Sequence, residues 1–296
     1  MPFIQTKNKN PFCLQLIHNN DPYYIKMSCT RLFVVFSFVV MAFVNIVSTT
    51  TNLFNHTNNT IISKQNPTSL TPDGITFAIW GPIYLFEFFT LIQQCSPSKF
   101  SLSNRKWLSS AFLLNAIWLP TFAYGYWWLS LFIISAYLWS LQHLYDNEIK
   151  IDYGNHKHWR DKVGTYIGIS MNMAWVVVAT LLNVTIVFRN SKIVYTTSGN
   201  HIIGGNADWA IACVVVATTL ATYKIFYHAD IFYGLTTVWA LFGIHRNQTN
   251  VQTTWAYAAA ITLLVFCTLR VATCFKRTKR KKNVPKTNVL LHIDNP

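Results

Sequence analysis

Residues 163–188 read VGTYIGISMNMAWVVVATLLNVTIVF, twenty-six positions without one charged side chain. As a helix, such a stretch spans about 39 Å at 1.5 Å per residue, more than the hydrocarbon core of a bilayer. It therefore reads as a membrane span. Working outward from it, seven further apolar blocks occupy residues 32–50, 76–94, 107–124, 126–144, 209–227, 231–244 and 255–275. The 231–244 block has only 14 residues and must borrow its flanks. Gly125 separates the third block from the fourth, because one helix across both would run for 38 residues.

Composition agrees with this count. Of 296 residues, 52% are hydrophobic and 11% charged, against roughly 25% charged in a soluble domain. A soluble enzyme, a disordered chain and a disulfide-stapled secreted module are all excluded on that ground. The net charge of +14 would suit nucleic acid only if it were clustered with base-reading or stacking residues, and it is not. The six cysteines show neither CxxC nor zinc spacing. The expected class is an all-α polytopic membrane protein without metal, cofactor or nucleic acid.

With eight spans and the N-terminus inside, 20 of the 24 Lys and Arg fall on the inner side, which is strong positive-inside asymmetry. The sequons at Asn55, Asn58 and Asn247 then all face outward, as glycosylation requires. A fourth match, at Asn183, falls inside a span. The Asn-rich residues 1–30 read as a disordered cytosolic arm, with Arg31 opening a retained signal-anchor. Residues 276–296 read as a basic cytosolic tail that touches anionic lipid headgroups. Outward sequons favour a secretory-pathway or plasma membrane over a mitochondrial one. The sequence leaves room for a homo-oligomer.

Three segments resemble one known family. They are Pro72-x7-Trp80-x3-Tyr84, Leu114-Asn115-x2-Trp118-x-Pro120 and Trp175-x3-Ala179-Thr180-x2-Asn183. In this order, on the second, third and fifth spans, they resemble the signature segments of the translocator, or tryptophan-rich sensory, proteins (TspO/MBR). The resemblance covers residues 30–190 and implies a five-helix bundle at 31–190, followed here by three further spans at 191–275. It also implies a pocket for hydrophobic ligands such as porphyrins or sterols, beneath the loop joining the first two spans. Carried over, the ligand-binding positions are Pro72, Trp80, Tyr84, Asn115, Trp118, Trp175, Ala179 and Asn183. The chain departs from the family pattern at Thr71, Gly74 and Val184.

The residues themselves support part of this. Trp127, Trp128, Trp209 and Trp255 sit at span ends, where an interfacial belt explains them. Trp80, Trp118 and Trp175 lie deeper, and each offers a flat apolar face and an N–H that needs a partner. They suit either a cavity for a planar ligand or ordinary helix packing. Asn115 and Asn183 are polar groups at membrane depth, suited to interhelical hydrogen bonds or to ligand contact. Glu87 is a carboxyl deep in a span, a functional candidate by default. Pro82 and Pro120 are expected to kink their helices, and Lys224 and Arg270 to snorkel toward headgroups. The expected function is binding, sensing or transport of a small hydrophobic ligand, without covalent chemistry. The alternative is a membrane-embedded hydrolase or lipid-modifying enzyme, its metal site built from the inner-edge residues His143, His156, His158, Asp161, His228 and Asp230.

Overall fold

The computed structural model describes residues 22–50, 59–94, 101–148, 159–191, 207–248 and 251–282. They form α1 (Pro22–Thr50), α2 (Asn59–Gln65), a 3-10 turn (Gly74–Ile79), α3 (Trp80–Gln93), α4 (Leu102–Ala123) and α5 (Trp127–Glu148). These are followed by α6 (Trp159–Ser191), α7 (Ala207–His228), α8 (Ile231–Asn247) and α9 (Val251–Lys282). Among the described residues, five stretches are long and apolar enough to cross a membrane: Cys29–Ser48, Gly74–Gln93, Gly164–Asn190, Asp208–His228 and Thr253–Cys274. The protein is an all-α, multi-pass membrane protein. The more polar α4 and α5, of 22 residues each, and the 17-residue α8 lie among these stretches.

Each apolar block of the sequence corresponds to one long helix, and the boundaries differ in instructive ways. α1 begins at Pro22 and so runs through residues read as part of the arm; proline suits a first helical position, where its missing N–H has no partner to lose. α9 continues to Lys282 through the basic run, since Lys and Arg are good helix formers and favour a helix C-terminus. The second block opens as a 3-10 turn, with the Asp73 carboxylate facing the Ile75 N–H. Pro82 falls in the first turn of α3 and Pro120 in the last turn of α4. Pro120 therefore removes a hydrogen bond within α4, whereas Pro82 sits where the first N–H groups of α3 lack α-helical partners.

Tight connections are made where the sequence permits them. Gly125, with φ +74°, turns α4 into α5, a left-handed conformation that glycine adopts at little cost. Between α7 and α8 the turn is Ala229, φ 50°, followed by Asp230, whose carboxylate caps α8 by accepting the Tyr233 N–H at 3.0 Å. The Ser101 hydroxyl oxygen caps α4 in the same way, 3.0 Å from the Asn104 N–H.

Five helices close into a ring: α1 packs on α4, α4 on α5, α5 on α6, α6 on α3, and α3 touches α1. The α3–α6 seam is a backbone approach. A Cβ on Gly164 would lie 2.5 Å from the Phe89 Cβ, and one on Gly168 would lie 3.1 Å from the Phe86 carbonyl carbon. Glycines four residues apart occupy one helix face, and such pairs let membrane helices meet backbone to backbone. Outside the ring, α8 packs on α6 and on the 3-10 turn, and α7 and α9 pack on α8. Lys224 of α7 does not snorkel. It is buried, with its Nζ 3.6 Å above the centre of the Tyr145 ring, a cation–π contact.

Candidate functional site

A cavity opens inside the five-helix ring beneath the loop that precedes α3. α3 supplies Trp80, the 3-10 turn Phe77, α4 Trp118 and Phe122, and α6 Trp175, Val178, Ala179, Leu182 and Asn183. Ser63 of α2 and Leu70 and Pro72 of the loop cover it. Six of the sequence-predicted positions (Pro72, Trp80, Trp118, Trp175, Ala179 and Asn183) therefore share one cavity wall.

The aromatic rings hold one another in place. Trp80 and Phe77 both meet Trp175 edge to face, with centroids 6.0 and 5.9 Å apart. Trp118 stacks on Phe122 at 5.2 Å, and Phe122 is braced by Trp127 at 5.5 Å. These separations fall in the favourable range for aromatic pairs. The enclosed volume is only about 30 Å³, room for one or two waters. Anything larger must part the rings.

The polar atoms of this wall are anomalous. The indole N–H groups of Trp80, Trp118 and Trp175 and the Ser63 hydroxyl are all buried and have no hydrogen-bond partner in the protein. Elsewhere in the fold the indoles of Trp209 and Trp239 do find partners, the Thr185 hydroxyl at 2.9 Å and the Thr76 carbonyl at 2.8 Å. Native interiors leave few buried donors unpaired, and each such donor costs about 1–3 kcal/mol. All four groups belong to residues that line one cavity. Asn183, by contrast, is engaged: its amide bonds the Ser130 hydroxyl at 3.2 Å, tying α6 to α5.

Tyr84, Glu87 and Asn115 lie off the cavity wall, in a polar ring one to two turns along α3. The Tyr84 hydroxyl donates to the Asn45 carbonyl oxygen at 2.5 Å, and the Asn45 amide to Asn115 at 2.9 Å. The Asn115 amide donates to the Tyr137 hydroxyl at 3.4 Å, and that hydroxyl to Asn172 at 2.8 Å. The Asn172 amide then donates to Glu87 Oε1, returning the chain of bonds to α3. One circuit thus joins α3, α1, α4, α5 and α6. Tyr84 links it to the cavity by stacking on Trp80, with centroids 5.3 Å apart and planes 18° from parallel. Glu87 Oε2 is buried and has no partner. Sequence reasoning missed Asn45, Tyr137 and Asn172. Their signal was available, since each is a polar side chain at span depth, but only packing reveals which of them meet.

The residues of the alternative reading are placed elsewhere. His143 stacks on Trp107 at 4.3 Å, and His228 meets Tyr145 and Tyr223 edge-on. The Asp230 carboxylate accepts from the Ser170, Tyr145 and Tyr166 hydroxyls and the Tyr233 N–H. Burial lifts its carboxyl above the usual carboxylate range, against the pull of those donors. Among the described residues no three His, Cys, Asp or Glu side chains converge on one point. His156, His158 and the side chain of Asp161 lie outside the described residues, as do Asn55 and Asn58. Asn247 is exposed and donates its amide to the Thr71 carbonyl at 3.0 Å.

Comparison with known families finds a match to the model for TSPO-like proteins over residues 31–271. No curated protein and no solved structure matches the chain.

Proposed function

The chain belongs to the TSPO-like protein family, and from that premise and the cavity's chemistry we propose that it binds a small, flat, hydrophobic ligand inside the five-helix ring. The family is a membrane-protein family and generally non-enzymatic; in this chain we read the ligand as held without covalent chemistry, for sensing or transport. The observation that carries this reading is the set of three orphaned indole N–H groups around one apolar cavity. Apolar walls select a hydrophobic body, parallel and edge-on rings select flatness, and unpaired donors select acceptor atoms at its rim. A porphyrin- or sterol-like molecule carrying carbonyl, carboxylate or hydroxyl oxygens has this chemistry. The topology that accompanies the reading has eight spans with both ends cytosolic, in a secretory-pathway or plasma membrane. In it the basic tail meets anionic lipid and Asn55, Asn58 and Asn247 carry glycans.

The test uses the full chain in detergent, titrated with protoporphyrin IX while tryptophan emission is recorded and cholesterol is offered in competition. Saturable quenching is expected. Trp80→Leu and Trp118→Leu are expected to weaken binding by about 1–3 kcal/mol, the scale of a lost buried aromatic contact. If neither porphyrin nor sterol binds saturably to folded protein, the aromatic cluster is packing, and the fold has been retained without the function.

A further inference from the structure

The loop that roofs the cavity has two faces. Leu70, Pro72 and Phe77 point into the cavity. The opposite face is bonded to the C-terminal half of α8, a helix outside the five-helix ring. The Trp239 indole N–H donates to the Thr76 carbonyl at 2.8 Å, and the Asp73 N–H to the Gly243 carbonyl at 2.8 Å. The Asn247 amide donates to the Thr71 carbonyl at 3.0 Å, and the Gln248 amide to the carbonyls of Thr68 and Thr71 at 3.0 and 2.9 Å. Arg246 Nε lies 3.1 Å from the Asp73 carboxylate. Where the two backbones cross, a Cβ on Gly243 would fall 2.0 Å from the Thr76 hydroxyl oxygen, so glycine alone permits the approach.

The loop is also stiff in itself. The Thr68 N–H donates to the Thr71 hydroxyl at 2.7 Å, and the Thr71 N–H to the Thr68 carbonyl at 3.1 Å. Residues 68–71 are buried. A knotted segment of this kind moves as one piece, and every bond from α8 falls on that piece or on the turn after it. The cavity holds about 30 Å³, so a larger ligand needs its walls to part, and the roof piece is the part of the wall bonded to α8. Lifting it means breaking the contacts to α8.

We propose that α8 is the latch of the cavity: Trp239, Gly243, Arg246, Asn247 and Gln248 are positioning residues that hold the roof loop shut, and the spans after α6 exist in this chain to set how often the cavity opens. None of these side chains lines the cavity, so they act on access rather than on contact with the ligand. The proposal takes its purpose from the ligand-binding reading, but its test needs no ligand.

Ser63 lines the cavity and is 2% exposed, so a thiol placed there by Ser63→Cys reports opening by its rate of reaction with N-ethylmaleimide. Cys213 and Cys267, buried at 4% and 2% exposure away from the cavity, report general loosening in the same molecule. Peptide mass spectrometry reads the three sites separately in full-length protein. Trp239→Phe keeps an aromatic ring and removes the N–H; Arg246→Ala with Gln248→Ala removes the remaining side-chain ties to Asp73, Thr68 and Thr71 except that of Asn247. Each is expected to speed labelling at position 63 at least tenfold, with Cys213 and Cys267 unchanged within twofold. Unchanged labelling at position 63 in both variants overturns the latch, and so does equal acceleration at all three sites. Failure of both porphyrin and sterol to bind would overturn the ligand reading separately and leave these rates to decide the latch.

Discussion

A tryptophan whose N–H is buried without a partner is a different object from one whose N–H is bonded. Trp209 and Trp239 are bonded and join helices; Trp80, Trp118 and Trp175 are unbonded and face a common space. If the orphaned N–H groups serve a ligand, Trp118→Phe separates the two roles of the residue. A smaller aromatic ring is kept and an unpaired donor is removed, so the relief of that donor offsets the packing lost with the indole's second ring, and the ligand-free protein should unfold within about 1 kcal/mol of the wild type. Affinity for protoporphyrin IX should fall by about 1 kcal/mol, the net worth of one hydrogen bond. Thermal unfolding and the quenching titration, run on the same sample, check both halves. The depth of these tryptophans was legible in the sequence, because each lies a turn or more inside its block. Their lack of partners was not, since that depends on what five separate helices place around them. Glu87 shows the same divide. Its cost at membrane depth was readable, whereas its bond to Asn172 joins residues 85 positions apart.

Among the helices, spacing within a block fixed less than spacing between backbones. The eight apolar blocks predict eight long helices because hydrophobic length is a one-dimensional property. The break at Gly125 was equally plain, and its φ of +74° bears out the turn. The short α2 and the 3-10 turn were hidden, because the residues around them carry no period and are ordered by their contacts with α4 and α8. The glycine pair of α6 was legible in principle as small-xxx-small, but its partner helix was not. That pair yields a prediction at this scale. Gly168→Ala places a Cβ 3.1–3.2 Å from the backbone of Phe86 and Glu87, atoms that cannot rotate away, so α3 and α6 must separate. A loss of about 1–3 kcal/mol is expected, the usual cost of overpacking, seen as a lower unfolding temperature in detergent. Gly81→Ala is the control: a Cβ there meets nothing within 4 Å, and alanine's better helix propensity should leave stability equal or slightly raised.

The molecule as a whole is a closed five-helix ring with a three-helix flank, and α8 ties the two at both of its ends. At one end stand the contacts to the roof loop; at the other stands Asp230. Its carboxylate is fully buried and accepts from the Ser170 hydroxyl at 2.5–2.6 Å, the Tyr145 hydroxyl at 2.9 Å and the Tyr166 hydroxyl at 3.2 Å. Those donors come from α5 and α6, in the ring, while the carboxylate also caps α8, in the flank. Histidines near span ends and Asp230 were readable from the sequence as chemistry-bearing residues, yet the same side chains suit a metal site and a helix clamp, and only the surrounding donors tell them apart. A clamp makes a definite demand. Asp230→Ala removes at once the acceptor shared by the Ser170, Tyr145 and Tyr166 hydroxyls and the cap of α8, and should cost about 3–5 kcal/mol, the sum of a lost cap and several lost hydrogen bonds to a buried carboxylate. Asp230→Asn keeps the shape and one accepting oxygen, and should cost about 1 kcal/mol. If α7–α9 dock as a unit, Asp230→Ala should also split thermal unfolding of the full chain into two transitions, with the flank melting first. Differential scanning calorimetry, alongside limited proteolysis between residues 191 and 207, distinguishes the outcomes. A single transition at the wild-type temperature would mean that the roof-loop bonds and the packing on α6 hold the flank, and that Asp230 fills space without fastening anything.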